Sequence, residues 1–127
     1  MKINFTPYEQ ALTLKELGFD EMCVGYYQIF EGNVINFDTI STEVCERLYK
    51  KDNFIKAPLY QQAFRFFRKQ YNIHCSVTHG LVFSFEINNQ NYEDYPSYGD
   101  NWFKSHEEAE LACLNRLIEI VKQNKDE

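Results

Sequence analysis

From Ser105 to Lys122 the chain carries Ala109, Leu111, Cys113, Leu114, Leu117, Ile118, Ile120 and Val121 at helical spacing. At about 100° per residue these side chains cover an arc of roughly 200°. An arc that wide touches more than one layer, so the segment is predicted to be a helix lying against a sheet and a further helix. Ser105 is placed to cap it, and Glu108 completes a capping box. The tail, Asn124 to Glu127, is expected to fray. A strand of matching character precedes it. Leu81, Phe83, Phe85 and Ile87 alternate with Val82, Ser84 and Glu86, the pattern of a half-buried strand.

The other elements follow from local chemistry. Thr6, Pro7 and Glu9 form a helix start, with Thr6 as cap and Pro7 at the first helical position. Ala11, Leu14 and Leu17 keep helical spacing, and Gly18 supplies a left-handed exit with Phe19 packing back on the last turn. Met22 to Phe30 is aromatic and β-branched; Glu31, Gly32 and Asn33 break it, and Val34 to Phe37 resumes as the second arm of a hairpin. Residues 40 to 51 read equally as a capped helix or as a strand followed by a loop. Pro58 opens the next helix, with Tyr60, Ala63, Phe64, Phe67 and Tyr71 on one face and Arg65, Arg68 and Lys69 on another. Ile73 to Val77 pairs with Leu81 to Ile87 around Thr78, His79 and Gly80. Asn88 and Asn89 signal a turn, and Tyr92 to Tyr95 is a candidate third short strand.

These readings give an α+β class in one compact domain, with an antiparallel sheet and helices mainly on one face. The order is helix, two strands, an open segment, helix, two or three strands, helix. A length of 127 residues fits a single domain with a real core, and 44% apolar residues fits a globular protein. The aromatic share of 17% supplies either a well-filled core or an adhesive surface. No apolar run approaches the roughly 20 residues that span a bilayer. Met1 to Pro7 shows no secretion signal, so the expectation is a cytoplasmic protein with no membrane partner. Cys23, Cys45, Cys75 and Cys113 form no CxxC pair and each has an apolar residue nearby, which favours four reduced core thiols.

Charge is sorted along the chain. Residues 47 to 69 hold seven of the thirteen Lys and Arg and one acid, Asp52, a net of +6. Each flank is net −6, as is the whole chain. Sorting of this kind implies a basic patch on an acidic body or internal pairing, and it points to binding rather than to a reaction. Arg47, Lys50, Lys51, Lys56, Arg65, Arg68 and Lys69 would track a phosphate backbone, with Tyr49, Phe54 and Tyr60 stacking on bases. A pI near 5.1 weighs against nucleic acid and leaves it the alternative reading. The preferred site is the loop from Asn91 to Trp102. Tyr92, Tyr95, Tyr98 and Trp102 offer contact area at low entropy cost, and Glu93, Asp94 and Asp100 favour a basic protein partner. Self-association as a homodimer is a variant of this reading.

Three stretches, Glu9 to Glu21 (EQALTLKELGFDE), Ala57 to Arg68 (APLYQQAFRFFR) and Glu107 to Lys122 (EEAELACLNRLIEIVK), together resemble a set of small uncharacterised bacteriophage and prophage proteins, chiefly of Bacteroidetes-type hosts. The resemblance covers the helices and not the strands or the tyrosine-rich loop. It implies a small accessory protein acting in an infected bacterial cell and carries no active site; in the interaction reading above, the expected partner is then a host protein. From Pro58 onward the order α-β-β-β-α also resembles a double-stranded RNA-binding domain. In that family the last helix begins with a basic cluster on phosphates. Here Glu107, Glu108 and Glu110 stand in that turn, so the phosphate grip is not expected.

Enzymatic signatures are lacking: there is no GxSxG, HExxH, Walker-type loop or GxGxxG, and the five glycines leave little for a phosphate cradle. His106, in a first helical turn, reads as solvated decoration. His74, Cys75 and His79, with Cys113 able to approach, follow no zinc spacing, and His74 and Cys75 point to opposite faces of a strand. No metal and no cofactor are therefore expected, and the chain reads as a non-enzymatic interaction module.

Overall fold

The computed structural model describes residues 5–23, 25–30, 33–38, 54–80, 82–89, 93–94 and 103–125. They form an α+β fold whose strands divide between two small antiparallel sheets rather than one. The chain falls into two compact units, Met1–Ala63 and Phe64–Glu127.

In the first unit the helix α1 spans Tyr8–Glu16. Gly18 has φ +104. Phe19 N–H reaches Leu14 O at 2.9 Å and Gly18 N–H reaches Lys15 O at 3.1 Å, so the predicted glycine exit is a complete Schellman closure with Phe19 buried. The helix start differs from expectation. Pro7 is the N-cap and no side chain caps the turn. Thr6 instead donates its N–H to Pro58 O at 2.8 Å, beside an antiparallel bridge of Phe5 with Leu59. That pairing draws Thr6 inward, where its hydroxyl has no hydrogen-bond partner among the described residues.

The hairpin is β1, Gly25–Phe30, with β2, Asn33–Asp38, in a register from Gly25↔Asp38 to Phe30↔Asn33. Met22 and Cys23 lie before the strand, not in it. A third strand, β3, Phe54–Lys56, pairs antiparallel with the other edge of β1, giving the order β2-β1-β3. Ala11, Tyr27, Ile55 and Ala57 form the core here, with Phe5, Tyr8 and Leu12 against it. Tyr27 packs edge-on to Tyr8 and donates its hydroxyl to Thr6 O.

Helix α2, Tyr60–Tyr71, gives its first turn to this unit and the rest to the second. Tyr60, Ala63 and Phe67 are buried as the period predicts; Phe66, unassigned by that period, is buried too. Its ring meets those of Phe67 and Tyr71 edge-on. Asn72 follows at φ 55, one of the few non-glycine residue types that enter the left-handed region at low cost.

The second sheet has the order β4-β5-β6, from β4, Ile73–His79, β5, Phe83–Asn89, and β6, Glu93–Asp94. Asn88 and Asn89 continue β5 rather than turning, because they pair with His74 and Ile73. Phe85 and Ile87 are buried while Glu86 and Asn88 are exposed, as alternation requires. Helix α3, His106–Lys125, lies against β4 and β5. Ser105 Oγ accepts Glu108 N–H at 3.1 Å, and the Glu108 carboxylate accepts the N–H of Lys104 at 3.1 Å, a capping box shifted by one residue at its return arm. Ala109, Cys113, Leu114, Leu117, Ile120 and Val121 are almost wholly buried.

Candidate functional site

The tyrosine-rich loop is held at both ends by β5. On its outgoing side Glu93 pairs with Asn88 and Asp94 with Ile87, so the short strand expected there exists as β6. On its returning side Phe103 forms an isolated antiparallel bridge with Phe83. Phe83 and Ile87 are four positions apart on one strand, about 14 Å at 3.4 Å per residue. Tyr92, Tyr95, Tyr98, Asp100 and Trp102 lie outside the described residues, while Glu93 and Asp94 place their backbones on the sheet edge.

An aromatic cluster forms the root on the returning side. His79 and Phe83, direct partners across β4 and β5, stack with centroids 4.5 Å apart and planes at 11°. His106 meets the same phenyl ring edge-on at 6.2 Å. Phe103 stacks on Phe85 at 6.0 Å. His106 Nε2 also lies 3.6 Å from Glu110 Oε2, one helical turn on. His106 thus touches the root while its side chain stays solvated, as expected, at 51% exposure. Glu110 is only 8% exposed, an acid within the apolar arc that the helical period did not single out.

The basic segment is thinned by the structure. Lys56 is 7% exposed; its Nζ lies 3.4 Å from Asp20 Oδ1 and donates to Glu21 O at 3.0 Å. It therefore leaves the phosphate-tracking set, because burial in β3 turns its ammonium to an internal carbonyl and a neighbouring acid. Tyr60, buried at 5%, is not a stacking surface either. Arg65, Arg68 and Lys69 are exposed on α2, three cations within one arc of roughly 100° at the helical period. Arg47, Lys50, Lys51 and Tyr49 lie outside the described residues, and of Phe54 only the backbone is placed.

Among the metal candidates, His74 is exposed and Cys75 turns to the opposite, half-buried face of β4. There the neighbouring Cys113 on α3 draws the Cys75 thiol below its usual range against the opposing effect of burial. Cys23, Cys75 and Cys113 are free thiols. Among the described residues no group of three or more His, Cys, Asp or Glu is placed to hold a metal ion. Among the same residues no helix is long and apolar enough to cross a membrane. Comparison with protein-family models, with curated proteins and with solved structures finds no match.

Proposed function

We propose that this chain is a non-enzymatic protein-interaction module, a bacteriophage accessory protein directed at a host protein in the bacterial cytoplasm, with the Tyr92–Trp102 loop as its contact surface. The observation that carries this reading is the double attachment of the loop to β5, through Ile87 and Asn88 on one side and Phe83 on the other. Fixed ends lower the ordering cost that a contact loop meets on binding. Tyrosine, tryptophan and carboxylates in that loop suit a partner with a basic, apolar surface. The test is affinity capture with the intact chain and with a Tyr98→Ala, Trp102→Ala double variant. The reading requires a stoichiometric protein recovered by the first and lost with the second at unchanged thermal stability.

The alternative, nucleic-acid binding, draws on the exposed stripe of Arg65, Arg68 and Lys69. Three phosphate contacts would give log affinity a slope of about −3 against log salt on duplex DNA. No binding of DNA or RNA at low salt would end that reading.

A further inference from the structure

Among the described residues the two sheets have four edge strands, β2 and β3 in the first and β4 and β6 in the second. Three of them carry features that discourage a further strand. β3 and β6 are short, at three and two residues, and β6 consists of Glu93 and Asp94. β2 ends on Asp38 and is preceded in sequence by Glu31. β4 runs for seven residues, Ile73–His79, in unbroken register with β5, and contains no lysine, arginine, proline, acid or bulge. Edges are commonly blunted by such devices, and β4 has none of them. Its inner row is also open. Cys75 and Val77 share the face that α3 covers, yet both are only half-buried, while their partners across the ladder, Ile87 and Phe85, are 1% and 6% exposed. α3 thus shields the middle of the sheet better than its β4 margin.

Charge selects the occupant. From Asn53 to Phe85 the sequence holds no Asp or Glu. α2 exposes Arg65, Arg68 and Lys69, the last two in its final turn, and Asn72 alone joins that helix to β4. The nearest acid across the ladder is Glu86, opposite Ser76 on the face away from α3. In a chain of net −6, the longest described edge is thus the one that follows a cationic helix end. We propose that β4 is a docking edge for an extended acidic segment of a partner protein, which adds to the sheet as a further strand. Main-chain hydrogen bonds to β4 hold the segment, and its apolar side chains at alternate positions cover Cys75 and Val77. The carboxylates between them are attracted by Arg65, Arg68 and Lys69, which speeds encounter and disfavours basic competitors. A second copy of this chain pairing β4 with β4 would offer those cations no acid. The inference does not rest on the contact-loop reading, because Glu93 and Asp94 pair on the opposite margin of the same sheet.

The test titrates the full-length chain into a fluorescein-labelled peptide of alternating glutamate and valine, capped at both ends and matched in length to β4, and follows anisotropy. One companion peptide carries lysine in place of glutamate. Another is N-methylated at two adjacent central residues, which blocks strand pairing from either side. The expected result is saturable binding of the acidic peptide, weakened about tenfold or more by either change and by the double variant Arg68→Glu, Lys69→Glu. Bound peptide should slow amide hydrogen exchange within Ile73–His79 and leave Asn33–Asp38 unchanged. The proposal is overturned by an acidic peptide that does not bind, by equal binding of the N-methylated peptide, or by protection that falls on Asn33–Asp38 instead. Tighter binding of a single-stranded oligothymidylate, lost in the same double variant, overturns it too and assigns the cations to nucleic acid. Should the double variant not fold, the comparison of peptides on the unaltered chain decides alone.

Discussion

Phe83 and Phe103 exchange a reciprocal pair of main-chain hydrogen bonds, 2.9 Å from Phe103 N to Phe83 O and 3.3 Å in the reverse direction. That exchange ties the start of the last helix to the same strand edge that carries β6. The residues on either side of the candidate contact loop therefore pair with one and the same strand, β5, and functional loops are commonly presented from such elements.

Phe103→Ala removes a half-buried ring stacked on Phe85 and leaves the main-chain bridge without its side chain. Partial burial puts the cost below that of a fully buried phenyl, at about 1–3 kcal/mol. Urea denaturation of the variant should show the midpoint falling accordingly. An unmoved midpoint would mean that the ring contributes nothing to the root.

Lys56 allows two substitutions to be set against each other. Lys56→Met keeps the aliphatic stem and removes the ammonium, which should change stability by less than about 1 kcal/mol in either direction. Lys56→Ala also loses the packed stem and should cost about 1–3 kcal/mol. Equal losses in thermal unfolding would show that the charge, not the stem, matters. Because Lys56 is buried, neither change should alter the salt slope of any nucleic-acid binding.

Gly18→Ala places a Cβ at φ +104, a conformation that L side chains avoid, although the space around it is open. The penalty is therefore backbone strain alone, about 1–2 kcal/mol. Gly18→Asn should recover part of it, and the order Gly, Asn, Ala in unfolding midpoint is the check. An alanine variant as stable as the parent would refute the left-handed exit.

Burial raises the Tyr27 phenol above its usual 10.0. The unfolded chain then loses this proton first as pH rises. Native Tyr27 consequently holds more protons than unfolded Tyr27 above that value, and stability falls with rising pH. The contribution is whole below pH 10 and is lost as pH climbs through the higher native value. Tyr27→Phe should cost about 1 kcal/mol at neutral pH, from the lost bond to Thr6 O, and flatten the alkaline decline. Parallel stability curves for the two proteins would contradict this.

Legibility in the sequence followed the range of the interactions. The Gly18 exit, the Ser105 cap, the β1–β2 hairpin and the alternation in β5 rest on neighbours within a few residues, and each was readable. Thr6 had the right chemistry for a cap but was drawn away by Pro58, a partner remote in the chain. Phe54–Lys56 is too short to show a period, so β3 was invisible, and with it the burial of Lys56. At the candidate site, β6 was expected from Tyr92–Tyr95, whereas a single bridge at Phe103 has no pattern to find. The downward pull of Cys113 on the Cys75 thiol depends on how α3 docks on β4, and spacing alone does not encode that.

The most direct measurement is site-specific photo-crosslinking in the cells that express the chain, with the photoreactive residue at position 98 or, as control, at the exposed Lys122. The account predicts a single protein adduct from position 98, lost on Trp102→Ala, and none from position 122. Adducts in equal yield from both positions, or none from position 98, would contradict a contact surface in the Tyr92–Trp102 loop.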